Sequence, residues 1–238
     1  MTIGEQTNMN AALALMEQNF SVLSYSQLPA THIIWGAQDT VAPLRTAYAL
    51  QHVLPLSHLH VINDAGHVPM KTHTQVFNSL LLASLQASST LRPIRTTNLS
   101  QRVGRCFQDD QTHFSGQYQQ IILNDCKLVH FDNVDTQQLT MNDSILHMVK
   151  SRIGKMGQNI AVTRSVITAT DTDIVGRMKS DRSRFDFAGV TFYGESPVFV
   201  SQASTRLVLS LTRIITPTQS TRLGGSYVLA EQSLESAL

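Results

Sequence analysis

An aspartate and a histidine each follow a short apolar segment, in a turn that contains glycine. Asp39 stands in "IIWGAQDTVAP" and His67 stands in "NDAGHVPM". A carboxylate that is hydrogen-bonded to an imidazole fixes the tautomer of the ring and stabilises its charged form. Such an imidazole can act as a general base toward a hydroxyl group. These two residues are therefore the candidate catalytic residues, provided that the fold brings them together.

Strand-like and helix-like patterns alternate around these two residues. "HIIW" and "HLHVI" predict two short strands, and "LRTAYALQHVL" between them has apolar residues at helical spacing. The order strand, helix, strand predicts a parallel pair with a crossover connection. Neighbouring strands lie about 4.8 Å apart, and ligands gather beyond the carboxyl ends of parallel strands. We therefore expect Asp39 and His67 to meet at one rim of the sheet.

The same residues resemble the C-terminal part of an α/β-hydrolase. In that family the triad acid follows a strand in a WGxxDxxxP-like turn, and the histidine follows the last strand in a GH context. This sequence has "WGAQD" with Pro43, and then "AGHVP". The resemblance covers about residues 10–87 and implies that Asp39 and His67 are the acid and base of a Ser–Asp–His triad for ester or amide hydrolysis. It also implies that residues 1–27 are the end of a cap region.

The nucleophile of that family is missing from this sequence. It belongs to a G-x-S-x-G elbow that precedes the acid, and no such motif precedes Asp39. Without a nucleophile and oxyanion donors, the pair has nothing to activate. We therefore interpret the chain as a hydrolase fragment that is inactive alone. Either Met1 lies inside a longer original protein, or a separate chain supplies the N-terminal half. The completed enzyme would act on a small-molecule ester or amide.

Both candidate residues also have plainer interpretations. Asp39 would cap a helix that starts between Val41 and Leu44, which is a common role of aspartate. His67 would be a polar loop residue without a task. The alternative function is then non-enzymatic: a degenerate hydrolase remnant joined to a domain that binds a glycan or another surface partner.

The second half of the chain has a different pattern. From about residue 104, short alternating apolar segments are separated by polar residues, and helical stripes are hard to find. A polar residue followed by a small one recurs with a period of about 20, at Asp125-Cys126, Asp143-Ser144, Arg164-Ser165 and Arg182-Ser183. This repeat predicts a right-handed parallel β-helix, in which stacking buries the apolar face of each coil. An antiparallel β-sandwich with accidental spacing is the alternative.

The predicted fold class thus combines two parts. An α/β N-terminal part, an incomplete α/β-hydrolase with parallel strands and helices, is followed by an all-β domain. The predicted boundaries are 1–88 for the hydrolase portion, 89–103 for a linker without a clear period, and 104–238 for the β-helix.

A β-helix presents flat polar faces, which by analogy bind or cleave polysaccharides, so a glycan is the candidate partner of the second half. Aspartates on neighbouring coils could perform glycosidic acid–base chemistry, although aspartate also favours turns. The candidate pairs are Asp109 with Asp110, Asp132 with Asp135, and Asp171 with Asp173.

Composition excludes several classes of function. The formal net charge of +1, with 15% charged residues, creates no field that would attract nucleic acid. The sequence contains neither an apolar run long enough for a membrane span nor a signal-peptide pattern, so a cytoplasmic location is the default expectation. No cofactor and no metal site is predicted.

Two cysteines, Cys106 and Cys126, stand about one predicted coil apart. If their side chains face each other, stacked coils bring them close enough for a disulfide, which implies an oxidising compartment. Otherwise they are two small residues buried in the stack.

Overall fold

The computed structural model describes residues 29–54, 56–86 and 101–238. Strands contain 57% of these residues and helices contain 15%. The predicted cap region at 1–27 and most of the predicted linker at 89–103 lie outside the described residues. The three domain boundaries stay predictions. Among the described residues, no helix has the length and apolar character that crossing a membrane requires.

Two strands and three helices form the described part before residue 87. They are β1 (Thr31–Gly36), α1 (Leu44–Val53), β2 (Ser57–Ile62), α2 (Pro69–Thr72) and α3 (Thr74–Gln86). β1 and β2 pair in parallel and form a two-stranded sheet. A small apolar cluster connects this sheet to α1; its buried members are Ile33, Ala47, Val53 and Leu54.

The prediction of an α/β N-terminal part is wrong. The described residues contain one pair of six-residue strands, not the parallel strand–helix domain of an α/β-hydrolase. A parallel sheet needs neighbouring strands and two covered faces, which a single pair cannot provide. The helices do not cover the two faces of such a sheet. Helix α3 buries none of its residues, and α1 packs on the all-β part of the chain.

The rest of the chain coils into a β-solenoid of about six turns. Its strands are β3 (Val103–Phe107), β4 (Thr112–Asn124), β5 (Val129–Asn142), β6 (Ile145–Val149), β7 (Arg152–Thr163), β8 (Val166–Asp181), β9 (Arg184–Tyr193), β10 (Phe199–Ser201), β11 (Thr205–Ile215) and β12 (Ser220–Leu229). Strands of successive turns pair in parallel, and an antiparallel pair of β11 and β12 ends the sheet. The predicted parallel β-helix is thus confirmed as a solenoid, and the β-sandwich alternative is wrong. The right-handed sense stays a prediction.

The polar–small repeat forms one corner of successive turns. The polar residues have positive φ angles of 56°, 45°, 45° and 46°, at Asp125, Asp143, Arg164 and Arg182. The backbone N–H of Cys126 donates to the Ser144 hydroxyl, and the N–H of Ser144 donates to Ser165. The N–H of Ser165 in turn donates to the Ser183 hydroxyl. This ladder satisfies backbone donors that the stacking of turns removes from water.

The interior of the solenoid is the main hydrophobic core. The alternating strands direct their apolar side chains inward, and the largest fully buried ones include Phe131, Phe187, Phe192 and Phe199. Cys106 of β3 and Cys126 form a disulfide with a Cα–Cα distance of 6.4 Å. The disulfide interpretation is therefore confirmed, and the interpretation as two unlinked residues is wrong. An oxidising compartment stays a prediction that this bond favours.

Candidate functional site

The loops that follow β1 and β2 approach each other closely because Gly36 has no side chain. A Cβ atom at Gly36 would lie 2.3 Å from the carbonyl oxygens of both Ala65 and Gly66, so no larger residue fits. A Cβ atom at Gly66 would approach nothing closer than the Gln38 carbonyl oxygen, at 3.9 Å. Gly36 is therefore the glycine that permits the close approach.

The carboxylate of Asp39 is held on both oxygens. Oδ1 accepts hydrogen bonds from the backbone N–H groups of Val41 at 2.9 Å and Ala42 at 2.8 Å. Oδ2 lies 2.9 Å from Nδ1 of His67. The indole N–H of Trp35 donates to the Ala42 carbonyl at 2.9 Å and ties the same loop to β1. The structure therefore brings Asp39 and His67 together at the rim where the sequence predicted that they would meet.

Asp39 does not cap α1, because that helix begins at Leu44, and Pro43 occupies the cap position.

The hydrogen bonds of Asp39 decide the charge of its carboxyl group. Desolvation acts to raise the pKa of the Asp39 carboxyl, but the hydrogen bonds from two backbone N–H groups and from His67 outweigh it, and the pKa lies below its ordinary value. Asp39 is therefore ionised at neutral pH. Because a carboxylate only accepts, Nδ1 of His67 carries the proton and Nε2 is the basic nitrogen.

The far side of the imidazole is open. The side chain of His67 is 52% exposed, whereas that of Asp39 is 5% exposed. Within the described ranges, Nε2 of His67 forms no hydrogen bond. An accessible imidazole nitrogen, with a buried, ionised carboxylate behind the ring, can accept a proton from a hydroxyl group or water. The nucleophile that such a base would activate is absent from this rim in the part of the chain that the structure describes.

A second histidine–carboxylate pair, which no sequence pattern predicted, joins α1 to the solenoid. Nδ1 of His52 lies 2.8 Å from Oδ1 of Asp171, and Nε2 lies 2.8 Å from the Thr191 hydroxyl. Acid, imidazole and hydroxyl follow one another as in a catalytic triad. Thr191 nevertheless exposes only 2% of its surface, and its hydroxyl and the imidazole of His52 are both held in contacts between α1 and the solenoid. We therefore interpret His52 as a residue that holds α1 on the solenoid.

Further contacts fix α1 on the solenoid. Arg45 donates to both carboxylate oxygens of Asp186, at 2.9 and 2.8 Å, and to the Thr170 hydroxyl at 2.8 Å. Gly189 has a φ of 62°, and a Cβ atom there would lie 2.8 Å from Cα of Ala49. A side chain at Gly189 would therefore push the helix away. The loop that carries Asp39 leads directly into α1, so the solenoid indirectly supports that loop.

Several of the aspartates suggested for glycosidic chemistry have structural contacts. Asp109 accepts hydrogen bonds from the backbone N–H of Gln111 and the hydroxyl of Thr112. Asp110 forms an exposed ion pair with Lys127 at 2.7 Å. These contacts favour the turn interpretation for this pair. No group of three histidine, cysteine, aspartate or glutamate side chains that could hold a metal ion occurs among the described residues.

Comparison with known proteins connects the chain to a hydrolase over a limited stretch. Over 66 residues it is 39% identical to 2-hydroxy-6-oxononadienedioate/2-hydroxy-6-oxononatrienedioate hydrolase 2 of Pseudomonas putida. The match covers 28% of this chain and 23% of that hydrolase, so the chain spans less than a quarter of the length of this relative. No protein-family model and no solved structure matches the chain. The similarity is consistent with a relationship to a hydrolase.

Proposed function

We propose that this chain carries the acid and the base of a Ser–Asp–His hydrolase, with Asp39 as the acid and His67 as the base. The 2.9 Å contact between Oδ2 of Asp39 and Nδ1 of His67 carries this proposal. The similarity to the Pseudomonas putida hydrolase supports the reaction class. The substrate would be a small molecule with an ester, amide or related bond.

In the proposed reaction, Nε2 of His67 takes the proton from a nucleophilic hydroxyl as that hydroxyl attacks the carbonyl carbon of the substrate. The Asp39 carboxylate stabilises the imidazolium that forms and holds the ring in place. The imidazolium then gives its proton to the leaving group, and a water molecule, activated in the same way, releases the acyl group. The hydroxyl comes from outside the described residues.

The intact chain alone should therefore not turn over activated esters. Without a hydroxyl at Nε2, His67 offers only the slow general-base chemistry of an exposed imidazole. We expect the hydrolysis of p-nitrophenyl acetate by the purified chain to match that by free imidazole at equal concentration. Robust turnover that His67→Ala abolishes would refute the inference that the nucleophile is missing.

A transplant tests the acid–base roles themselves. Residues 29–86 of this chain replace the matching segment of the Pseudomonas putida hydrolase, whose own N-terminal part stays in place. We expect the chimera to hydrolyse the substrate of that enzyme and to lose about 10⁴-fold in kcat when Asp39→Asn or His67→Ala is introduced. His73→Ala, a nearby histidine without a carboxylate contact, is the matched control and should leave kcat unchanged. A folded, active chimera that is indifferent to His67→Ala would exclude the proposed roles.

A binding function of the solenoid is the second candidate. It is favoured by a partly polar cavity on the solenoid surface, which His52 and Asp171 border.

A further inference from the structure

A cavity of about 680 Å³ opens on the outside of the solenoid, next to the C-terminal end of α1. Strands β7, β8, β9 and β11 supply most of its floor. Neither Asp39 nor His67 lines it, so its role is independent of the function proposed for that pair. Its volume lies within the range of about 300–1,000 Å³ that is typical of small-molecule sites.

Two rows of side chains cross the cavity floor. Paired positions on adjacent strands stack Asp173 between Arg152 and Thr191, and Arg213 follows Thr191. Two residues further along the strands, a second row consists of Val175, Tyr193 and Ile215. Because residues two apart on a strand share a face, both rows point into the same space. The cavity is therefore polar along one side and mainly apolar along the other.

The polar row contains two arginines and one aspartate, and the Asp171 carboxylate that also borders the cavity lies 2.8 Å from Nδ1 of His52. Arg152 and Asp173 lie 3.8 Å apart and largely offset each other. Arg213 forms no ion pair with any residue in the described part of the chain. On its other side, the paired position in β12 is Arg222. The guanidinium of Arg213 borders the cavity and is therefore available to pair with an anion there.

Tyr193, a member of the second row, adds a hydrogen-bond donor to the mainly apolar side of the cavity. Burial and the Asp173 carboxylate raise the pKa of its phenol, against the opposing effect of Arg213 and Arg152. The phenol is therefore protonated at neutral pH and can donate to an acceptor. Both guanidinium groups border the same cavity as the ring.

We propose that this cavity binds a small organic carboxylate, whose carboxylate group pairs with Arg213 and whose carbon chain lies along Val175, Tyr193 and Ile215. The planar fork of a guanidinium matches a carboxylate in two parallel hydrogen bonds. An inorganic oxyanion shares the charge, but it has no apolar part that would use the second row or fill the volume.

Binding to the intact chain by isothermal titration calorimetry tests this proposal. The probes are adipate, its neutral analogue adipamide, and inorganic phosphate. We expect saturable binding of adipate, weaker binding of phosphate and no binding of adipamide. Arg213→Gln should weaken adipate binding by about tenfold or more, since a charged hydrogen-bond partner is lost. The matched control is Arg105→Gln, an exposed arginine of β3 outside the cavity, which should bind adipate like the unmodified chain.

Three results would overturn the proposal: no adipate binding at about 10 mM, equal binding of adipate and adipamide, or unchanged affinity in Arg213→Gln. Phosphate that binds as tightly as adipate would overturn the assignment to an organic ligand. If Arg213→Gln does not fold, as judged by circular dichroism, Arg213→Lys replaces it. This variant keeps the charge but loses the fork, and it should still bind adipate more weakly than the unmodified chain.

Discussion

Two histidine–carboxylate pairs of almost equal length flank helix α1, and their surroundings are opposite. The Asp39–His67 contact is 2.9 Å long and its imidazole is 52% exposed, whereas the His52–Asp171 contact is 2.8 Å long and its imidazole is 13% exposed. The first pair has an open nitrogen and no hydroxyl partner among the described residues. The second has a hydroxyl partner, and both of its ring nitrogens are occupied. Distance alone therefore does not identify an acid–base site; access to the second ring nitrogen does.

The two pairs also depend on each other mechanically. His52 and Arg45 fasten α1 to the solenoid, and the loop before α1 carries Asp39. The buried pair thus supports the element that positions the exposed pair. This division of roles can be tested by disturbing each pair separately.

The largest effect should follow from the loss of the buried imidazole. His52→Ala removes the hydrogen bonds to the buried Asp171 carboxylate and to the Thr191 hydroxyl, and we expect the free energy of unfolding to fall by about 2–4 kcal/mol. His67→Ala should change it little, because that ring is half exposed. Urea denaturation of both variants measures the difference. If His67→Ala were the more destabilising of the two, the assigned roles would be reversed.

The next effect concerns the two glycines at the rim. Gly36→Ala forces a methyl group against two carbonyl oxygens, and we expect a loss of about 1–3 kcal/mol together with the Asp39–His67 hydrogen bond. Gly66→Ala has ordinary van der Waals space and should keep both. Denaturation curves and the NMR signal of the His67 side chain report the two outcomes. An equal response to both substitutions would contradict the described approach of the loops.

Acid should loosen the β1–β2 pair. Nδ1 of His32 lies 3.1 Å from Nε2 of His60, a hydrogen bond in which one ring must stay neutral. Burial, followed by the neighbouring His32 and His58, lowers the pKa of His60 in the fold. The stability that the neutral His60 ring contributes is therefore fully present above the pKa of histidine in the unfolded chain, about 6.5. This contribution is lost as the pH falls from there toward the lower pKa of His60 in the fold.

We therefore expect the protection factors of the amides in β1 and β2, which correct for the slower intrinsic exchange at lower pH, to fall between about pH 7.5 and 5.5. His60→Gln should reduce this pH dependence, while the protection factors at the hydrogen-bonded corners of Ser144, Ser165 and Ser183 stay the same. Identical pH dependence in the unmodified chain and in His60→Gln would remove His60 as the cause.

The smallest perturbation is chemical. Diethyl pyrocarbonate modifies accessible, neutral imidazole nitrogens, so we expect it to modify His67 several-fold faster than His52 without unfolding the chain. Mass spectrometry of proteolytic fragments separates the two sites. Faster modification of His52 would mean that α1 leaves the solenoid in solution.

Local patterns predicted the features that local geometry determines. The polar–small repeat predicted the stacked turns, because each corner needs a residue that tolerates positive φ, followed by a small residue, at nearly constant spacing. The meeting of Asp39 and His67 could be foreseen because parallel neighbouring strands end at the same rim.

Features that depend on distant parts of the chain could not be predicted in this way. An alternation of strand and helix patterns does not reveal how many strands pair, so a single β1–β2 pair was taken for part of a hydrolase domain. The docking of α1 joins His52 to Asp171, 119 residues away, and neither residue carries a local signal of that contact. The packing of α1 against Gly189 likewise has no local signal in the sequence.

The central claim is that Asp39 and His67 form an ionised carboxylate–imidazole pair with an available Nε2. Long-range ¹H–¹⁵N NMR correlation of the histidine side chains at neutral pH tests it most directly. We expect His67 to carry its proton on Nδ1 and Asp39→Asn to weaken this preference. A His67 ring with its proton on Nε2 in the unmodified chain would contradict the proposed pair, because the basic nitrogen would then face the carboxylate and could not accept a proton from a nucleophile.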